Sequence, residues 1–454
     1  MKARFLIFIT LLIVLSAAYI FFVRFEGEQP TISLDLPSTS IGQSCEIAIQ
    51  AADEKSGLRR VQVQIIKNGK ESNLFEKDFA ATGLFRGGQE HETSFSITVE
   101  PKKLGMADGD ALLRLDAWDH SLRGLITGNH VRIEKPVSID SRPPGVDVLT
   151  RAHNITPGGA GLVVYKLSES CSETGVMVGE TFYPGHSGAF SDPNIVMAFF
   201  ALDYNQGRGT EIYVSATDAA GNTARAGFPY YIKKKTFKTD AIPISDRFLT
   251  WKMPEFSVPL IEESNTPLLD KFLKINREMR KANYDEITGL GVSTDPIIHW
   301  ENAFLRLPKS ARRANFADHR EYLYNGKLVD KQVHLGIDLA SIAHSPVPAA
   351  NSGKVVFVGE IGIYGKTIVI DHGVGLFSTY SHLSSMDVEP GRMVTKGDVI
   401  GKTGSTGMAA GDHLHYGMMI HKTFVNPVEW WDAAWIKNNV LTKIKDVKDQ
   451  LNQP

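Results

Sequence analysis

The sequence predicts a mostly β chain: one N-terminal membrane-spanning helix, two β-sandwich modules, a helical linker and a C-terminal domain built on a compact antiparallel sheet. Three observations carry that prediction. An uncharged apolar run opens the chain, alternating apolar and polar residues recur through two segments of similar length, and short glycine-bounded strand patterns fill the last third. The boundaries read from these shifts are 1–28 for the anchor, 29–142 and 143–235 for the sandwiches, 236–312 for the linker, 313–432 for the sheet domain and 433–454 for a C-terminal helix and tail.

Lys2 and Arg4 precede Phe5 to Val23, an uncharged run of about 19 residues, roughly what a helix needs to cross a bilayer. A cleaved signal peptide would have a shorter apolar core. Here the run continues past Ser16-Ala17-Ala18 through Tyr-Ile-Phe-Phe-Val, so an uncleaved anchor in the lipid bilayer is expected. The positive charges on the short flank place the N-terminus in the cytoplasm. The remaining domains then lie in the periplasm or outside the cell. A net charge of -2 and 43% hydrophobic residues exclude a disordered or strongly basic chain, and no nucleic-acid partner is expected. Cys45 and Cys171 are too few for a disulfide framework and are expected as two buried free thiols.

In the first module, Ile47-Ala-Ile-Gln-Ala-Ala-Asp53 and Val61-Gln-Val-Gln-Ile-Ile66 alternate as half-buried strands do, and Leu113-Arg-Leu-Asp-Ala-Trp-Asp119 closes the pattern. The second copy runs from Leu162-Val-Val-Tyr165 to Val214-Ser-Ala-Thr-Asp-Ala-Ala-Gly-Asn222, with Arg142-Pro-Pro-Gly145 as the hinge between copies. The Ala-x-Asp-x-x-Gly-Asn ending, close in the second copy and loose in the first, resembles bacterial immunoglobulin-like repeats. That resemblance implies sandwiches of roughly 100 residues each, acting as spacers or as arms that bind a protein partner. Asp53, Asp119 and Asp218 are expected to bond their own turns rather than calcium. Beyond them Pro243, Pro254 and Pro259 break the chain. From Thr266 to Arg280 an early proline, apolar residues at three- and four-residue spacing and late basic residues predict one amphipathic helix that packs between domains. The run Lys233-Lys-Lys235 reads as a solvated edge.

The chemistry is concentrated in His334-Leu-Gly-Ile-Asp338, Tyr380-Ser-His382-Leu383 and His413-Leu-His415. Residues two apart on a strand share a face, so His413 and His415 point the same way. Gly336 removes a side chain where imidazole and carboxylate must come close. Two histidines and one aspartate satisfy the ligand count of a catalytic zinc site, leave one position for water and keep a net positive charge to acidify it. The two remaining imidazoles can take a proton and stabilise an oxyanion. With 14 histidines in the chain, a His-x-His arises by chance roughly 0.4 times, so the pair alone says little. Joint occurrence of the three segments among glycine-bounded strands is far more specific. His91-Glu92 lacks a histidine at position 95 and is no helical zinc motif. His319, His344, His372 and His421 are expected at the surface or in turns.

Taken with Pro346-Val-Pro-Ala-Ala-Asn-Ser-Gly-Lys-Val-Val356 and Val394-Thr-Lys-Gly-Asp-Val-Ile-Gly-Lys-Thr-Gly404, these segments make the region similar to the LytM/lysostaphin-type zinc metallopeptidases, which are peptidoglycan endopeptidases. The resemblance covers about a quarter of the chain, in motif order. It implies that His334, Asp338 and His415 bind one Zn2+, that His382 and His413 flank the attacking water and the developing oxyanion, and that a groove accepts a peptidoglycan peptide. Ala317, the pair Ala409-Ala410 and Gly417 stand where the family commonly has glycine, hydroxyl residues and an acidic residue. The implied function is a single-pass enzyme of the cytoplasmic membrane that hydrolyses peptide bonds in peptidoglycan stems or crosslinks for wall remodelling. The alternatives are a non-catalytic wall-binding or amidase-activating LytM-like protein, and an endopeptidase of secreted or surface proteins.

Overall fold

The computed structural model describes residues 2–83, 87–123, 127–260 and 264–452. The first residue of the expected anchor, six residues of the expected first sandwich, three of the linker and the last two of the tail lie outside them. Strands dominate from Thr31 onwards. Before them Lys2–Arg24 forms one helix with its large apolar side chains outward, Phe8 60% and Leu15 61% exposed. Its length and composition suit a membrane span or a signal sequence alike. Two compact units follow from the chain's contacts: residues 1–144 with 170–172 and 217–224, and residues 145–169, 173–216 and 225–454.

The first unit holds a three-stranded and a five-stranded sheet. Alternation does here what it does in any half-buried strand: Val61, Val63 and Ile65 on Leu58–Lys67, and Leu113, Leu115 and Ala117 on its neighbour Gly109–Asp119, are fully buried in one core. Asp53 Oδ1 accepts from Gly57 N at 2.6 Å, Asp119 Oδ1 from Ser121 N at 2.9 Å and Asn129 N at 2.7 Å, and Asp218 Oδ1 from Ala220 N at 2.8 Å and Asn222 N at 2.9 Å. All three carboxylates thus tie turns together, and Asp53 and Asp119 also approach Glu26. Neither cysteine forms a disulfide, and both are half-buried rather than buried as expected, each being the first residue of its strand.

In the second unit an eight-stranded sheet is antiparallel throughout. Its order runs Ala311–Ala314, Ile337–Ala340, Leu414–Ile420, Leu376–Leu383, Gly365–Asp371, Gly353–Ile361 and Met393–Val394, with Thr423–Val425 paired to Leu414–Ile420. The two central strands, Leu376–Leu383 and Leu414–Ile420, are buried at every position. That is why their sequences do not alternate in polarity. The pair Ala160–Leu167 and Ile195–Ala201, buried at every position but Lys166, belongs to the same unit. Tyr183 Oη and Thr423 Oγ1 are 2.8 Å apart, Lys443 Nζ donates to Leu162 O at 3.1 Å, and Trp430 lies edge-on to Phe199.

The linker differs from the sequence expectation in two respects. The helical stretch runs from Pro267 to Gly289, longer than predicted, with a π turn at Ile275–Met279. Its second half is polar and is held by tertiary contact, Asn283 Oδ1 accepting from Ile363 N at 2.9 Å. Upstream, Thr239–Ile244 is a strand paired in parallel with Asp318–Tyr324. Pro243 is tolerated because the strand is an edge. Lys235 is also half-buried beside Glu429 rather than solvated.

Glu429 accepts from Ala160 N at 2.9 Å, and a side chain at Gly159 would sit 2.5 Å from its Oε1. Burial pushes its carboxyl from 4.5 up to about 7. The folded chain therefore holds this proton over a pH range in which the unfolded chain has lost it. Stability falls as pH rises from 4.5 to 7, by up to about 3 kcal/mol from this group. Thermal melting against pH should be flatter across that window in Glu429→Gln, and an unchanged slope would assign the dependence to other groups.

Candidate active site

His334 ends the strand Lys327–His334, and Asp338 lies in Ile337–Ala340, in register with His415 of Leu414–Ile420. On its other side His415 pairs with Ser381, next to His382. The turn joining His334 to Asp338 passes close to the His415 ring. A Cβ at Gly336 would lie 2.5 Å from both Cε1 and Nε2, so only glycine fits.

Three ligand-type atoms converge there. His334 Nε2 is 3.0 Å from Asp338 Oδ1 and 3.0 Å from His415 Nδ1, and His415 Nδ1 is 2.9 Å from Asp338 Oδ1. Backbone carbonyls orient three of the four imidazoles. His334 Nδ1 donates to Asn315 O at 2.9 Å, His382 Nδ1 to Thr406 O at 2.9 Å and His413 Nδ1 to Gly411 O at 2.8 Å. A carbonyl only accepts, so each ring presents Nε2 as the nitrogen left for chemistry. His413 Nε2 reaches 3.5 Å from Asp338 Oδ1, and the His382 ring centre is 4.9 Å from that of His413. His382 has a φ of 64°, uncommon for a side chain of its size. That backbone conformation carries some local cost and is held by its surroundings, among them the bond from Nδ1 to Thr406 O.

Electrostatics support the same grouping. Burial, the largest influence on Asp338, would raise its carboxyl, but His334, His413 and His415 together hold it well below the usual carboxylate range. Burial pushes His415 down to about 4 and His382 well below an ordinary imidazole, so both rings are neutral at pH 7. Asp338 Oδ2 accepts from Arg320 Nη2 at 2.9 Å, which turns Oδ1 towards the histidines.

The donor set fits a metal cation. With the His415 proton on Nε2, three lone pairs face one another within 3.0 Å and Nε2 has no acceptor among the described residues; with it on Nδ1, Nε2 is a buried acceptor without a donor. A cation among His334 Nε2, Asp338 Oδ1 and His415 Nδ1 removes the lone-pair conflict, and two imidazoles with one carboxylate suit zinc.

The five residues singled out in the sequence thus line one cavity of about 320 Å³. Sequence reasoning missed its upstream wall, Ile242, Phe248 and Phe272, and the role of Arg320. The only signal for Arg320 was its place in the segment ahead of His334. Among the other histidines, His319 and His344 are exposed as expected. His372 and His421 are buried, although His421 does stand in a turn, as expected. His372 is accommodated because its two nitrogens meet Ser352 O at 2.7 Å and Ser378 Oγ at 2.7 Å, and His421 stacks on His186.

Residues 332–427 match the family profile described as peptidase family M23. The C-terminal domain is an M23 peptidase domain, of the LytM type. Over 97 residues the chain is 42% identical to the DD-carboxypeptidase/endopeptidase Mpg of Neisseria meningitidis serogroup B, covering 21% of this chain and 22% of that protein. Over 132 residues it is 31% identical to the peptidoglycan DD-endopeptidase ShyA of Vibrio cholerae, covering 28% of this chain and 30% of that one. The chain thus spans under a third of the length of these relatives. A crystal structure of a putative peptidase M23 from Pseudomonas aeruginosa aligns with 61% of this chain and 95% of its own at 21% identity, with a TM-score of 0.40. The M23 match begins at Gln332 and so excludes Arg320, Asn315 and the apolar wall of the cavity.

Proposed function

We propose that this chain is a membrane-anchored zinc metalloendopeptidase that hydrolyses peptide bonds in peptidoglycan stems or crosslinks on the outer side of the cytoplasmic membrane. The observation that carries the reading is the convergence of His334 Nε2, Asp338 Oδ1 and His415 Nδ1 within 3.0 Å. These atoms would hold the ion, with Arg320 keeping Asp338 in position. Bound zinc would supply Lewis acidity and an acidified water. His382 and His413 stand on the cavity side with their Nδ1 protons already committed to carbonyls. The bare Nε2 of one ring would accept the proton of the attacking water, and an Nε2 that has taken up a proton would donate to the oxyanion of the tetrahedral intermediate. Ala409 and Ala410 line the cavity and give its wall no hydroxyl there.

The expected result is one zinc per chain and solubilisation of purified sacculi with new peptide ends in the muropeptide profile, lost with a chelator and restored by Zn2+. Digestion that a chelator leaves unchanged would overturn the metal reading. Binding to sacculi without any new peptide end would instead identify a wall-binding or amidase-activating protein.

A further inference from the structure

A second cavity, of about 790 Å³, adjoins the first and shares with it Arg280, Arg320, His334, Tyr364 and His415. Its walls are rich in cations, and most of these are already paired. Arg277 Nε is 3.0 Å from Asp330 Oδ1, Lys281 Nζ 2.6 Å from Asp285 Oδ2, Lys331 Nζ 2.8 Å from Glu321 Oε1, and Arg320 is bound to Asp338. Arg280 differs. Its guanidinium makes hydrogen bonds to Asn276, with Nη2 donating to Asn276 Oδ1 at 2.6 Å, and among the described residues no carboxylate lies within ion-pair distance.

The arginine is nevertheless held firmly. Asn276 is fully buried, one turn earlier in the π segment, and its Nδ2 donates to Asp330 Oδ2 at 2.7 Å. The next turn of helix is clamped to the M23 domain through Asn283, whose Oδ1 would be 2.2 Å from a Cβ at Gly362. A half-buried guanidinium fixed on one edge by a neutral amide, with its charge uncompensated and open to two cavities, is built for an anion from outside the chain. The acidic residues that line the cavity lie beyond ion-pair distance of Arg280: Glu321 is engaged by Lys331, and Asp203 Oδ1 accepts from Asn205 N at 3.1 Å. Tyr364, whose ring centre is 5.7 Å from that of His415, lines both cavities with Arg280 and so connects it to the reaction centre.

We propose that Arg280 forms a carboxylate-binding subsite, in the cavity adjoining the His334–Asp338–His415 centre, that selects acidic peptides as substrates. The inference rests on the peptidase reading and deepens it. Wall peptides carry free carboxylates along their stems, and a guanidinium fork pairs with a carboxylate through two parallel hydrogen bonds. The helix supplying Arg280 lies outside the stretch matched to the M23 profile, so this selectivity would belong to the chain's own linker rather than to the shared domain.

The test uses the full chain in detergent with chelator present, titrated with a stem pentapeptide whose carboxylates are free and with the same peptide fully converted to carboxamides. The wild type should bind the acidic peptide at least about tenfold more tightly, as a charged hydrogen bond of ordinary strength implies. Arg280→Gln should close that gap, and Arg280→Lys should retain part of it. Equal affinity for the two peptides, a gap that Arg280→Gln leaves intact, or no binding of either would overturn the subsite. Hydrolysis of the acidic peptide is then measured with Zn2+. Discrimination without hydrolysis would sink the peptidase reading and leave the subsite standing, whereas hydrolysis without discrimination would do the reverse.

Discussion

Exchange of His415 for alanine is expected to abolish solubilisation of peptidoglycan sacculi and to strip zinc from the purified chain, while far-ultraviolet circular dichroism and the melting transition change little. The imidazole supplies Nδ1 to the three-atom cluster at 2.9 Å from Asp338 and 3.0 Å from His334, so its removal deletes a third of the donor set. Loss of a merely supporting group around a metal costs about 10–100-fold in affinity or activity, and loss of a ligand should exceed that. The fold should tolerate the change, because Leu414 and Tyr416 on the same strand keep their buried places and the cross-strand hydrogen bonds are made by backbone. Zinc content is the deciding measurement: a His415→Ala variant that still binds one equivalent and digests sacculi would remove His415 from the site.

Trp430→Ala should produce the largest loss of stability of any single truncation considered. The indole is fully buried and sits where four pieces of chain meet, its ring centre 5.8 Å from Phe199, 5.6 Å from Trp300, 5.7 Å from Phe304 and 5.4 Å from Trp435. A residue of that size leaves a void that its neighbours cannot fill, at a cost of about 3–5 kcal/mol. The transition of the second unit should fall by roughly 10 °C. Trp430→Phe, which retains most of the ring surface, should recover at least half of the loss. A variant that melted within a degree or two of the parent would mean that these aromatic contacts are not what holds the unit together.

The parts of the site that were readable share one property: they are local. His413 and His415 are two apart on one strand, so spacing fixes that they share a face, and His334 and Asp338 are four apart around Gly336, close enough in sequence to be read together. What brings the segments into one place, the register of Asp338 opposite His415 and of Ser381 on its far side, is a long-range fact of strand pairing. The alternating strands of the first unit were legible for the same local reason. The strand Thr239–Ile244 was not, because Pro243 argues against a strand and its partner lies about 80 residues on. Likewise the helix beyond Arg280 has little apolar periodicity, and the bond from Ile363 N to Asn283 that holds it is invisible from the helix itself. His372 misled because polarity predicts exposure only where no partner is waiting inside, and His421 because its ring is covered by stacking on His186.

The pairing of Thr239–Ile244 with Asp318–Tyr324 also bears on how such a protein can be recombined. The hairpin that delivers His334 borrows its outer strand from a segment about 90 residues upstream of the M23 match. A graft cut at residue 313 would carry every ligand yet present a raw strand edge, an invitation to pair with another copy. For a genome shuffling modules or for an engineer doing so, a cut that keeps this pairing falls before Thr239, and one that also keeps Phe199 against Trp430 falls near Gly145.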